Sequence, residues 1–182
     1  VSANCGLIAG LSVLELGAGV GAPSIAASLC GSRSVLATDK DAYGLLNVRT
    51  NARINGATVS TQIFDWHSDD DLAAVAARGP FDVILAAGAA AHRWEHRLGE
   101  VLVGLLKIGS GKVLLCQGAG DLDWAPTGPL LGAGLVLDEV VSGDTFGLRT
   151  RWGGDSEFEL AVLGLSPAIA DRAAPSSEKS DL

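Results

Sequence analysis

The sequence predicts an α/β domain in which helices cover both faces of a mostly parallel β-sheet. Short apolar segments of strand length alternate with segments whose apolar residues have helical spacing. The first apolar segment, residues 13–16, runs directly into a glycine-rich turn, and the second stops at an acid, Asp39. In such sheets the ligand lies beyond the carboxyl ends of the strands. We therefore expect the functional residues in the turns that follow the strands.

The elements follow one another in a regular order. Strands are predicted at 13–16, 35–38, 59–64, 83–87 and 112–117, and helices at 23–30, 42–54, 69–77 and 94–108. Pro23 suits the first turn of a helix, Asp41 is placed to cap the next helix, and Gly79-Pro80 ends the third. A Pro/Gly-rich segment then leads to two further strands at 135–141 and 158–164. We expect one domain over residues 1–165 and a disordered tail over residues 166–182, which are rich in Ser, Pro, Ala and charge.

Composition limits the class of partner. The 182 residues include 13 Lys or Arg and 21 Asp or Glu, and the net charge of −8 disfavours nucleic acid and favours a basic protein substrate. No apolar run is long enough for a membrane helix, so we expect no membrane partner, and we expect a monomer. The three cysteines, Cys5, Cys30 and Cys116, are widely spaced in apolar surroundings. We interpret them as reduced thiols, which predicts a cytoplasmic protein, with the nucleus as a second compartment.

The first turn indicates the kind of cofactor. Its glycines are Gly17, Gly19 and Gly21, so the third comes one place too early for the Gly-x-Gly-x-x-Gly turn that binds a dinucleotide. Glu15, two residues before the first glycine, would repel a pyrophosphate but suits a ligand that carries an ammonium and no phosphate. S-adenosylmethionine is such a ligand.

At this point the chain resembles the seven-strand (class I) S-adenosylmethionine-dependent methyltransferases, whose first motif is Glu-x-Gly-x-Gly-x-Gly. Five segments follow in the order and spacing of the non-SET protein-lysine methyltransferases, families 16 and 21 in particular: VLELGAGVGAPSIAAS, ATDKD, NVRTNARING, FDWHSDDDL and FDVILAAG. The resemblance covers about residues 11–117. The resemblance implies a Rossmann-like sheet of seven strands with a C-terminal antiparallel hairpin. It also implies S-adenosyl-L-methionine as cofactor and methyl transfer to a lysine side chain of a protein.

The resemblance further implies a set of cofactor-binding residues. The main chain of the glycine turn would hold the methionine part, and Asp39 would bind the ribose. Trp66 and Ala87 would surround the adenine, and Asp65 could accept a hydrogen bond from its amino group. The expected cofactor-binding residues are Glu15, Gly17, Ala18, Gly19, Gly21, Asp39, Lys40, Asp65, Trp66 and Ala87. Structural alternatives stay open: Asp39 as a helix cap, Trp66 as core packing, and Asn47 and Asn51 either bonded to a loop or solvated.

The catalytic residues are unknown from the sequence. A free lysine has a pKa of about 10.4, so the site must help remove its proton. The lysine methyltransferases that this chain resembles carry Asp-x-x-Tyr after the fourth strand, where this chain has Gly88 and Ala91. Glu95, His92 or His96 are candidate replacements. Two other functions therefore stay open, a cofactor-binding pseudoenzyme that acts as an interaction module and a methyltransferase for a small molecule or nucleic acid.

The same segment contains a possible metal motif. His92 to His96 has the His-x-x-Glu-His spacing of one group of zinc peptidases. That motif requires a helix with a further acidic ligand downstream, whereas here it directly follows a buried parallel strand. We expect no metal site.

Overall fold

A computed structural model of the chain describes residues 5–88, 95–118, 129–142 and 158–169. Its strands are β1 Ser12–Leu16, β2 Ser34–Asp39, β3 Ser60–Ile63, β4 Val83–Ala87, β5 Lys112–Gly118, β6 Leu135–Ser142 and β7 Phe158–Leu165. Its helices are α1 Ala22–Leu29, α2 Ala42–Ile54, α3 Asp69–Ala76, α4 Glu95–Leu105 and α5 Pro129–Gly132, and a 3-10 turn, Cys5–Leu7, precedes β1. All the predicted strands and helices are present, with ends that differ by at most three residues.

The seven strands form one sheet in the order β3-β2-β1-β4-β5-β7-β6. The first five strands pair in parallel, and β7 is antiparallel to both β5 and β6. The predicted seven-strand sheet with a C-terminal antiparallel hairpin is confirmed. The chain order of the strands reverses between β1 and β4, and the crevice at such a reversal is where open α/β sheets bind their ligands.

Helices pack on both faces of the sheet because the side chains of each strand alternate between the faces. Val13 of β1 packs with Val35 of β2 and Ala27 of α1 on one face. Leu14 of β1 packs on the other face, with the apolar side of α4. The buried residues of that side of α4 are Leu98, Val101, Leu102 and Leu105. This double cover explains why β1 is buried along its whole length.

The cysteine prediction was wrong for two of the three residues. Cys5 and Cys30 form a disulfide, and Cys116 is free. The turn before β1 lies against the end of α1, where Gly10 N donates to Gly31 O at 2.8 Å, and this brings two cysteines 25 positions apart to a Cα separation of 4.8 Å. The prediction of a cytoplasmic or nuclear protein rested on reduced thiols and stays a prediction.

Two further expectations are only partly covered by the described residues. None of the helices described is long and apolar enough to cross a membrane. Of the predicted tail, residues 167–169 are helical, with Ile169 N donating to Ser166 O at 3.0 Å, and Ser166 N donates to Gly134 O at 2.8 Å. Residues 170–182 lie outside the described part of the chain.

Candidate functional site

The candidate site lies at the carboxyl edge of the sheet, where β1, β2, β3 and β4 end. The turn after β1 has three glycines with positive φ: Gly17 at 66°, Gly19 at 52° and Gly21 at 80°. Gly17 and Gly19 are exposed, and a Cβ added to either would meet no atom within 4 Å. The main chain is therefore open to a ligand that side chains at these two positions would obstruct.

Gly21 is a glycine for a different reason. A Cβ at this position would lie 2.8 Å from Cγ1 of Val48, a buried residue of α2. The turn therefore packs its last glycine against α2, while its first two glycines face outward. Ala18, between them, is buried and its N–H donates to Thr38 O at 2.9 Å, which ties the turn to β2.

Glu15 supports the turn from within the core. Its side chain is 2% exposed, and Oε2 accepts hydrogen bonds from both the backbone N–H, at 3.0 Å, and the hydroxyl of Ser24. Burial raises the pKa of Glu15, and the hydrogen bonds from Ser24 offset part of that rise. Since Ser24 lies in the first turn of α1, the carboxylate joins the end of β1 to the start of α1.

Asp39 fastens the turn to the end of β2. Its Oδ2 accepts from Gly19 N at 2.9 Å, and its Oδ1 accepts from Asp41 N at 2.9 Å. Asp41, as predicted, caps α2 by accepting from Tyr43 N. A carboxylate has about four acceptor positions. With two used by the backbone, Asp39 keeps capacity for hydroxyl groups of a ligand.

Asn51 of α2 completes the support of the turn. Its Nδ2 donates to Val20 O at 2.9 Å, which agrees with the interpretation of Asn51 as bonded to a loop. Two further supports escaped the sequence analysis. Ser24, in the first turn of α1, donates from its N–H and its hydroxyl to Glu15 Oε2, and the hydroxyl of Thr38 donates to Glu15 O at 2.7 Å. Since serine and threonine are common at such places, nothing in the sequence distinguished these two.

The adenine side of the predicted site is the loop of residues 65–68 between β3 and α3. Asp65 is exposed and its Oδ1 accepts from His67 N at 3.0 Å. Trp66 is half-buried and packs against the main core cluster. Its carbonyl accepts from Arg97 Nε of α4 at 2.7 Å. Lys40 and Ala87 are exposed at the ends of β2 and β4. The predicted cofactor residues thus lie at one edge of the sheet.

The segment after β4 is described only at its start. Gly88 follows β4 with φ 65°, its N–H donates to Cys116 O at 2.9 Å, and no atom lies within 4 Å of an added Cβ. Ala91, His92 and Trp94, and the side chains of Glu95 and His96, lie outside the described residues. Within the part of the chain that is described, no group of three His, Cys, Asp or Glu side chains is placed to hold a metal ion.

Comparisons with known proteins agree with this architecture. The family model "Ribosomal protein L11 methyltransferase (PrmA)" matches residues 7–91. An electron transfer flavoprotein beta subunit lysine methyltransferase homolog of Caenorhabditis elegans is 42% identical over 52 residues, which are 29% of this chain and 21% of that protein. The ribosomal protein L11 methyltransferase of Rhodopseudomonas palustris (strain BisB5) is 43% identical over 76 residues, 41% of this chain and 25% of that protein. The matched segments thus span about a fifth to a quarter of these relatives.

A solved structure extends the likeness to the whole fold. The ribosomal protein L11 methylase of Lactobacillus delbrueckii subsp. bulgaricus superposes with a TM-score of 0.61 at 23% identity, over 86% of this chain and 70% of that one. The seven-strand sheet with its antiparallel hairpin and the glycine turn after β1 are those expected from the sequence. The chain therefore has the seven-strand fold that its sequence predicted, and its residues 7–91 are similar in sequence to the L11 methyltransferase family.

Proposed function

We propose that the protein binds S-adenosyl-L-methionine at the carboxyl edge of the sheet and transfers its methyl group to a lysine side chain of a protein. The observation that carries the proposal is the exposed main chain at Gly17 and Gly19, with open space where side chains would stand, beside the carboxylate of Asp39. The lysine methyltransferases and the L11 methyltransferase among the relatives support a protein substrate.

The residues present fit this cofactor. Exposed backbone of the turn can approach the methionine part closely, and the free acceptor positions of Asp39 suit ribose hydroxyls. Trp66 offers an apolar wall for a base. When bound, the cofactor supplies an electrophilic methyl group on a sulfonium.

The chain's own contribution to the transfer is placement. An amine must approach the methyl carbon in line, and holding the two together contributes most of what a site of this kind needs. The lysine must also reach its neutral form, which is about one molecule in two thousand for a free lysine at pH 7. Gly88 brings no carboxylate to the end of β4, so the proton acceptor must come from another residue. Glu95, His92 and His96 remain the candidates by sequence.

The experiment is to incubate the protein with cofactor labelled on the methyl group and a cell extract. We expect labelled protein bands that yield methyl-lysine on hydrolysis. Asp39→Ala should abolish the label, because it removes both the ribose acceptor and the tie to Gly19. Asp41→Ala is the matched control, since it removes a neighbouring carboxylate that caps α2. Equal labelling by wild type and Asp39→Ala would refute the assignment of the site.

Gly88 favours a second candidate, a cofactor-binding pseudoenzyme. The supports of the glycine turn are in place, while the position of the expected acid has no side chain. Saturable binding of the cofactor in calorimetry, with no label transferred to any extract protein, would select this function. Label in small molecules or RNA after protein digestion would instead select the remaining class of substrate.

A further inference from the structure

We propose that Arg97 is a positioning residue that holds the adenine wall of the cofactor site by clamping the backbone at Trp66. The inference rests on the proposed function, since it concerns the same cofactor site. It goes beyond that function because Arg97 belongs to α4, outside every segment that pointed to the cofactor in the sequence.

Arg97 joins three acceptors with one side chain. Its Nε donates to Trp66 O at 2.7 Å, one terminal nitrogen donates to Asp69 Oδ1 at 2.5 Å, and the other donates to Glu100 Oε2 at 3.0 Å. The side chain is 25% exposed. A planar guanidinium can donate in three directions at once, whereas the ammonium of lysine is a compact charge that cannot span such a fork.

The clamp connects two parts of the site that are distant in sequence. Trp66 and Arg97 are 31 residues apart, and Asp69 begins α3 directly after the loop of residues 65–68. The loop also has hydrogen bonds within itself and to α3: Ser68 N donates to Asp65 O, His67 N donates to Asp65 Oδ1, and Asp65 N donates to Asp71 Oδ2 at 2.9 Å. These bonds close the loop and join it to the start of α3, whereas the bond from Arg97 joins it to α4. Among the described residues, Arg97 supplies the polar link from this loop to α4.

Fixing the loop affects cofactor affinity through the population of the competent arrangement. A ligand that needs Trp66 in one place binds with an apparent Kd raised by the inverse of the competent fraction. If loss of the clamp lets the loop spend nine-tenths of its time elsewhere, the apparent Kd rises about tenfold. Arg97 need not touch the ligand for this effect.

The test measures binding of S-adenosylhomocysteine by titration calorimetry to the full chain and three variants. Arg97→Ala removes the clamp, Arg97→Lys keeps the charge without the fork, and Glu100→Gln changes only the acceptor within α4. We expect both Arg97 variants to bind about tenfold more weakly. Glu100→Gln should stay within about twofold of the wild type, because the bond to Trp66 O remains.

Amide hydrogen exchange provides a second measurement that needs no ligand. We expect the amides of residues 66–68 to exchange faster in both Arg97 variants and at the wild-type rate in Glu100→Gln. Arg97→Lys keeps the test valid if Arg97→Ala fails to fold. Equal weakening in all three variants would overturn the inference, because it would assign the effect to the stability of α4.

The outcomes also separate this inference from the proposed function. A wild-type protein that binds S-adenosylhomocysteine, with Arg97 variants that bind it equally well, would overturn the clamp alone. A wild-type protein that binds no S-adenosylhomocysteine would overturn the proposed function and the clamp together.

Discussion

Replacing glycines of the turn after β1 tests the structure of the site most directly. Gly21 and Gly31 both have a φ of 80°, but they differ in surroundings. A Cβ on Gly21 would lie 2.8 Å from Cγ1 and 3.0 Å from Cγ2 of Val48, whereas a Cβ on Gly31 would meet nothing within 4 Å. Gly31→Ala therefore measures the cost of the left-handed backbone alone, and Gly21→Ala adds a clash in the core.

The expected magnitudes follow from these two terms. An L-residue in the left-handed region costs about 1–2 kcal/mol, so this is the expected loss for Gly31→Ala. Overpacking of a buried site costs about 1–3 kcal/mol more, and Val48 is fully buried and has stiff branched geometry. Gly21→Ala should thus lower the free energy of unfolding by about 2–5 kcal/mol. Urea denaturation followed by circular dichroism measures both variants.

Gly19→Ala tests ligand binding as well as stability. Its φ is 52° and its surroundings are open, so its stability loss should match that of Gly31→Ala. Its binding of S-adenosylhomocysteine should fall at least about tenfold, because the new methyl group fills the space assigned to the ligand. Equal losses of stability for Gly21→Ala and Gly31→Ala would refute the packing argument. Undiminished binding by Gly19→Ala would refute the placement of the cofactor.

Three further predictions concern charge and cross-linking. Because burial raises the pKa of Glu15, its contribution to the free energy of unfolding is complete below the usual carboxyl pKa and is lost as pH rises through the higher folded-state pKa. In urea titrations, Glu15→Gln should flatten this decrease of stability with rising pH. The hydrogen bond from the ammonium of Lys107, at 2.7 Å, is the largest cause that holds the pKa of Asp82 well below its usual range. Asp82→Asn should therefore lower the free energy of unfolding by about 1–3 kcal/mol at pH 7, and this loss should shrink as acid protonates the wild-type carboxyl. Alkylation without reductant should label one cysteine per chain, and three labelled cysteines before reduction would contradict the Cys5–Cys30 disulfide. Since this disulfide closes a loop of 25 residues, Cys5→Ser should lower the free energy of unfolding by about 3 kcal/mol under oxidising conditions.

The fold was readable from the sequence because its signals are local. Apolar runs, the cap at Asp41 and the break at Gly79-Pro80 placed the seven strands and helices α1 to α4, and parallel pairing followed from the alternation of the elements. The turn at Gly17, Gly19 and Gly21 was likewise predicted, and the structure adds that all three glycines have positive φ. These properties depend on neighbours in the chain, so one sequence suffices to predict them.

The parts that escaped prediction depend on distant pairs. The bond from Arg97 to Trp66 O joins residues 31 apart, and the Cys5–Cys30 disulfide joins residues 25 apart. No periodicity encodes such pairs, since each partner alone has many ordinary uses. Asp82 illustrates the same limit, because its oxygens accept hydrogen bonds from Ser12, Arg33 and Lys107 at the amino end of the sheet. Its location at the start of a strand gave no sign of that network.

The contacts within the site also separate cofactor binding from methyl transfer. Glu15, Asp39 and Asn51 each hold the glycine turn through bonds to the chain itself, so the shape of the cofactor side is set before any ligand arrives. Gly88, directly after β4, brings no side-chain acid to that end of the sheet. Under the proposed function, binding depends on residues already in place, whereas transfer depends on a proton acceptor that the end of β4 does not supply. A loss of transfer with intact binding would accordingly locate the defect after β4 and leave the glycine turn unaffected.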